Sequence, residues 1–188
     1  MKYPYDPDRH RRRSLRLKRY DYTQAGAYFV TIVVRGKLPL FGVVADGKMQ
    51  LNAAGEMVQQ IWDEMSNRFP SIVMDTFIAM PNHIHGIIIV GAPLVGARPF
   101  NDETITKVQL GDVVGAFKSL TTVEYTRSVR SGGWTPFHGR LWQRNFYEHI
   151  VRTDESLERI RQYILDNPVQ WAFDRENPMA VNPKQDSP

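Results

Sequence analysis

His83 and His85 stand one residue apart at the head of an apolar run, in MPNHIHGIIIV over residues 80 to 90. In an extended strand alternate side chains leave the same face, so the two imidazoles converge while Ile84 points the other way. Neutral imidazole is the commonest protein ligand for a metal ion, which makes the pair a candidate metal site. Two hydrogen-bonded strand ends would look the same, and the histidines alone do not choose between these readings. Farther along, Tyr163 and Asn167 lie four residues apart in RIRQYILDNPVQW, a spacing that puts both on one flank of a helix. A phenol there is a reactive group, or simply a rim residue with a packed ring and a wet hydroxyl.

The surrounding pattern indicates the elements that must hold these groups. The two apolar runs of residues 72 to 90 read as antiparallel strands flanking a Met80-Pro81-Asn82 turn, and residues 86 to 90 are apolar on both faces, as in a strand covered on both sides. Ala27 to Arg35 is rich in β-branched and aromatic residues and reads as a first strand, followed by a hairpin over 40 to 51 turning at Asp46-Gly47. Asn52 is an N-cap for a helix to about Arg68, with Met57, Val58, Ile61, Trp62 and Met65 at helical spacing. A second helix is predicted over 110 to 129, with Val113, Val114, Phe117, Leu120, Val123 and Tyr125 inward, then a strand over 141 to 151. Thr153, with Asp154 and Glu155 after it, caps a last helix ending near Asn167-Pro168, with Leu157, Ile160 and Ile164 as its apolar stripe. The order is that of an α+β fold, a ferredoxin-like antiparallel sheet with helices on one face, plus a C-terminal helix.

At 188 residues the chain reads as one domain over 20 to 175, between a basic N-terminal arm at 1 to 19 and a polar tail at 176 to 188. It has no cysteine, which excludes disulfides and cysteine-based zinc sites and fits a reducing compartment. No apolar run reaches the ~20 residues of a membrane span and the start lacks a signal-peptide core, so a cytoplasmic location and no membrane partner are expected. The formal charge is only +4, yet Arg9, Arg11, Arg12, Arg13, Arg16, Lys18 and Arg19 cluster in the arm, a local signal for binding a polyanion.

Taken together, MPNHIHGIII, LWQRNFYEHIVR and RIRQYILDNPVQW resemble the HUH single-tyrosine transposases, and among them the REP-associated tyrosine transposases, from about Arg13 to Trp171. The resemblance implies that His83 and His85 hold a divalent ion, Mg2+ or Mn2+. It further implies that Tyr163 is the nucleophile and that Asn167 falls where related enzymes place a third polar ligand. The implied reaction is cleavage and rejoining of single-stranded or hairpin DNA through a 5′-phosphotyrosine, as in DNA transposition, with a homodimer as one allowed assembly. Tyr147 lies in a family-like stretch and competes for the nucleophile's place, while His149 and Arg152 match the family's H-x-x-R stretch without a legible role. Arg140 and Arg144, interleaved with Trp134, Phe137 and Trp142, are candidate DNA contacts, although Trp142 suits a core. The alternative is a DNA-binding protein that keeps the fold and the arm without cleaving.

Overall fold

The computed structural model describes residues 25–91 and 108–180. The basic arm, most of the loop after Gly91 and the last residues of the tail therefore lie outside the described residues. The elements follow in the order β1 (Gly26–Val33), β2 (Gly42–Ala45), β3 (Lys48–Leu51), α1 (Ala53–Arg68), β4 (Ile72–Met80), β5 (His83–Val90), α2 (Leu110–Arg130), β6 (Tyr147–Val151) and α3 (Asp154–Asp166). One sheet has the strand order β4-β5-β1-β6 with every neighbouring pair antiparallel, and β2 and β3 form a separate hairpin. This is the expected ferredoxin-like arrangement.

Local chemistry accounts for the element ends. Asn52 Oδ1 accepts from the backbone N–H groups of Ala54 and Gly55, both at 3.0 Å, and its Nδ2 donates to the Leu40 carbonyl. The hairpin turns through Asp46 and Gly47 at φ 51° and 69°, the left-handed pair that a two-residue connection of this twist requires. Thr153 accepts from the Ser156 N–H to start α3.

The sheet is covered on both faces. On one, Tyr28, Val30, Ile32, Ile84 and Ile88 pack with Val58, Trp62 and Met65 of α1 and Val113, Val114 and Phe117 of α2. Gly86 lies under Trp62, where an added Cβ would sit 2.4 Å from the indole ring, so the missing side chain is what admits the aromatic. On the other face α3 lays Leu157, Ile160 and Ile164 against Phe29, Ile87 and Val151. The C-terminal helix thus occupies the face opposite α1 and α2.

Two expectations need correction. The strand predicted over 141 to 151 forms only from Tyr147; ahead of it Trp142 makes an isolated bridge with Val34, and the Lys118 ammonium takes up the carbonyls of Gln143, Arg144 and Asn145 at 3.0, 3.4 and 3.1 Å. Burial lowers that ammonium to about 8, and three successive carbonyls turned toward one ammonium cannot alternate in direction as those of a strand do. Val123, predicted inward, is 57% exposed. Thr121 faces inward instead, because its hydroxyl donates to the Phe117 carbonyl and accepts the indole N–H of the buried Trp142.

An ion pair fastens α3 to the sheet. Arg161 donates to both carboxylate oxygens of Asp75 in β4, Nε at 2.9 Å and Nη2 at 2.5 Å, and also bonds Glu158. The Arg161 hydrogen bonds, aided by Thr76 and opposed by burial, hold the Asp75 carboxyl at about 2, below its usual 3.8. A depressed carboxyl stabilises the fold above its unfolded value and loses that contribution as the pH falls toward the folded one. Arg161→Met is therefore expected to cost about 1–2 kcal/mol near neutrality, after allowance for solvent screening of the pair. In urea titrations the gap between wild type and variant should close between about pH 4 and pH 2. A gap independent of pH would mean that packing of the arginine stem, not the charge pair, carries the effect.

Candidate active site

The site lies on the α3 face of the sheet, where the pairing of β1 with β5 sets Thr31 opposite His85 and Val33 opposite His83. His83 and His85 are buried, with Nε2 atoms 3.1 Å apart and rings at 4.6 Å. Burial is the main reason both imidazoles are held down to about 3; for His83 the Lys37 charge adds to it, and for His85 the neighbouring His83 does. Both rings are therefore neutral and keep a lone pair at physiological pH.

Asn82 decides the tautomer of His83. Its Nδ2 donates to the carbonyls of Lys37 and Glu176, at 3.2 and 2.7 Å, which leaves Oδ1 as an acceptor 2.8 Å from His83 Nδ1. His83 must carry its proton on Nδ1, and the bare Nε2 faces His85. His85 Nδ1 meets the Thr31 hydroxyl at 2.9 Å, a partner able to accept as well as donate. When the hydroxyl accepts, two Nε2 lone pairs confront each other, an arrangement that calls for a cation. This second sphere of amide and hydroxyl partners orients ligating imidazoles in metal sites generally.

A third donor comes from the segment after α3. Asp174 Oδ2 lies 3.9 Å from His83 Nε2, and donor atoms of His83, His85 and Asp174 all fall within 4.8 Å of one another. The other Asp174 oxygen accepts the Glu176 N–H at 2.6 Å, which aims Oδ2 at the histidines. Asn167, at the C-terminal end of α3, is 1% exposed; its Nδ2 reaches Asp174 Oδ2 at 3.4 Å, and its Oδ1 is buried without a hydrogen-bond partner. Two imidazoles and a carboxylate form a mixed nitrogen and oxygen donor set that fits a divalent cation, with the partnerless Asn167 amide oxygen buried nearby.

Tyr163 stands over this cluster. Its ring lies 5.5 Å from that of His85 and meets Phe29 edge-on at 5.9 Å, and it is 42% exposed. Partial burial first, then Asp174, push its phenol above the usual 10, opposed by Arg175 and Asn167. Tyr147 also meets Phe29, at 6.2 Å, and both tyrosines line a cleft of about 360 Å3 with Thr31, His85, Asp174 and Arg175. Phe29 lines the cleft too and stacks on His85 at 5.3 Å, and of the two tyrosines Tyr163 is the one whose ring meets a histidine of the pair.

The remaining sequence candidates scatter. His149 is exposed on β6 opposite Phe29, and Arg152 is exposed just beyond the strand. Arg140 and Arg144 are exposed on the segment between α2 and β6, outside the cleft lining. Trp134 and Phe137 pack on Tyr125, at 4.9 and 5.6 Å, and Trp142 is in the core, so these aromatics do not line the cleft. The cationic cluster Arg9 to Arg19 lies outside the described residues. The residues that sequence reasoning missed are Thr31, Asn82, Asp174 and Glu176. Thr31 could have been found as a lone polar residue in an apolar strand, and Asn82 as the neighbour of the histidine pair. Glu176, assigned to the tail, is buried against Asn82.

No protein-family model matches the chain. It is 36% identical over 182 residues to an uncharacterized protein of Haemophilus influenzae, covering 91% of this chain and 96% of that protein. A second Haemophilus influenzae protein, described as a "Putative REP-associated tyrosine transposase", is 24% identical over 155 residues, covering 82% of this chain and 77% of the relative. Among solved structures, a REP-associated tyrosine transposase bound to a REP hairpin superposes with a TM-score of 0.50 at 17% identity, covering 84% of this chain and 74% of that one. Among the described residues no helix is long and apolar enough to cross a membrane. The chain thus belongs to one family with the 36%-identical Haemophilus influenzae protein, is similar in sequence to the second, and shares the fold of the REP-associated tyrosine transposase.

Proposed function

We propose that the protein is a metal-dependent single-stranded DNA endonuclease and strand transferase, with Tyr163 as nucleophile, acting on hairpin-forming repeats in DNA transposition. The observation that carries this reading is the tilted ring contact of Tyr163 with His85 at 5.5 Å, which sets a phenol beside a buried cluster of metal donors. His83, His85 and Asp174 would hold Mg2+ or Mn2+, with the Asn167 amide oxygen as a further ligand. A bound divalent ion supplies Lewis acidity toward phosphate oxygens and offsets the Asp174 charge that raises the phenol. The bond from Tyr163 Oη to phosphorus forms as the P–O3′ bond breaks, leaving a 5′-phosphotyrosine and a 3′-hydroxyl, and the proton lost by the phenol balances the one gained by the 3′ oxygen. Because the covalent link retains the phosphodiester's free energy, another 3′-hydroxyl can reverse the step and join a different strand. Phe29 and Leu157 to Ile164 keep the tyrosine helix seated, which fixes the approach of the phenol.

A phosphodiester in B-form duplex cannot bend into line without unpairing, at a cost of a few kcal/mol per step that a single strand has already met. The related transposase solved with a REP hairpin supports a hairpin strand as the substrate form. The arm from Arg9 to Arg19 would add phosphate contacts without reading sequence. End-labelled oligonucleotides incubated with the protein and Mn2+ test the proposal through an SDS-stable adduct. The expected order is a hairpin with an unpaired flank first, an unstructured strand weakly, and matched duplex not at all. Equal cutting of duplex and hairpin would point to a general nuclease, and binding without any adduct to a DNA-binding protein.

A further inference from the structure

We infer that Arg175 is a catalytic residue of this reaction, its guanidinium gripping a non-bridging oxygen of the phosphodiester that Tyr163 attacks. The inference rests on the reading of the cleft just given. A phosphodiester entering the cleft meets two carboxylates, Asp174 and Glu176, and the Arg175 guanidinium among the lining residues. Asp174 faces the metal donors, and Glu176 is already paired, through Oε2 with Lys37 at 3.2 Å and through Oε1 with Arg175 Nε at 3.0 Å. That second contact uses one edge of the guanidinium. Its terminal nitrogens make no protein hydrogen bond among the described residues, and the side chain is 83% exposed. A planar fork with two open N–H groups matches phosphate oxygens better than a point charge does.

The root of this arginine is tied to the same bonds that hold the metal donors. Its carbonyl accepts from Lys37 Nζ at 2.8 Å. The next residue, Glu176, gives its N–H to Asp174 Oδ1 and takes the Asn82 amide on its carbonyl, and Asn82 also fixes His83. Lys37 performs its part from a left-handed backbone, φ 54°, that a residue with a side chain seldom adopts. As the Tyr163 Oη–P bond forms and the P–O3′ bond breaks, charge spreads over the non-bridging oxygens, and a guanidinium held there stabilises it.

The test uses single-turnover adduct formation on a saturating hairpin strand with Mn2+, for wild type, Arg175→Met, Arg175→Lys and Arg175→Ala. Arg175→Met should slow the adduct by about 10²-fold, the loss seen when one preorganised donor to a developing oxyanion is removed. Strand affinity and the rise in melting temperature with Mn2+ should stay near wild type, Arg175→Lys should recover part of the rate, and methylguanidinium should partly rescue Arg175→Ala. A wild-type rate in Arg175→Met overturns the inference. So does a slow variant that has also lost its Mn2+-dependent melting shift, because the arginine would then only be supporting the metal cluster. Failure of wild type itself to form a Tyr163-dependent adduct is the separate result that removes the proposed function, and the inference with it.

Discussion

Tyr163→Phe is expected to abolish the SDS-stable adduct while leaving folding, strand binding and the Mn2+-dependent melting shift intact. The substitution removes one oxygen from a ring that is 42% exposed and packed on Phe29 and His85, so the ring contacts survive. No other change isolates the proposed nucleophile so cleanly. The rate should fall to background, since without the oxygen no covalent intermediate can form. Tyr147→Phe is the matched control: Tyr147 lines the same cleft and meets the same Phe29, but has no ring contact with the histidine pair among the described residues. Adduct persisting in Tyr163→Phe and vanishing in Tyr147→Phe would transfer the nucleophile to β6. Equal partial losses in both would show that neither hydroxyl is essential and that the cleft serves another chemistry.

The second large effect belongs to the metal donors. His83→Ala, His85→Ala and treatment with EDTA are each expected to stop cleavage with little loss of strand affinity. The informative readout is stability rather than rate. Metal bound only by the folded chain stabilises it by RT ln(1 + [L]/Kd), about 2.7 kcal/mol at a hundredfold excess over Kd. Wild type should therefore melt at a higher temperature in Mn2+, and both histidine variants should lose that rise. His83→Ala should also be less stable without metal, by roughly 1–3 kcal/mol, because it leaves the buried Asn82 Oδ1 without its donor. Full cleavage in stringently metal-free protein, or an Mn2+-dependent rise that survives in both variants, would contradict the metal reading. Asp174→Asn and Asn167→Ala, measured in the same way, rank the two oxygen donors: the one whose loss removes the melting shift is the ligand.

Much of the scaffold followed from local rules. The two-residue period of a strand puts His83 and His85 on one face whatever lies around them, and the residues opposite, led by Ile84, join the helix-side core. Asn52 and Thr153 cap the helices they precede because their side chains answer backbone N–H groups two or three residues away. The four-residue spacing of Tyr163 and Asn167 likewise belongs to the helix itself. Each of these contacts spans a few positions, so the chain's own order specifies it.

The state of the site depends on contacts of another length. Thr31 meets His85 across 54 positions, Asn82 meets the Glu176 carbonyl across 94, and Arg161 meets Asp75 across 86. No periodicity encodes such pairings, because they arise only when β1 lies beside β5 and the segment after α3 folds back over the sheet. For the same reason Asp174 looked like any surface acid in WAFDREN, and residues 141 to 146 looked like a strand until the Lys118 ammonium claimed their carbonyls. Sequence by itself thus determined which groups are available and which share a face. Tertiary structure decided which imidazole nitrogen carries the proton, which carboxylate joins the histidines and which tyrosine stands over them, since burial and partners from distant segments set those choices.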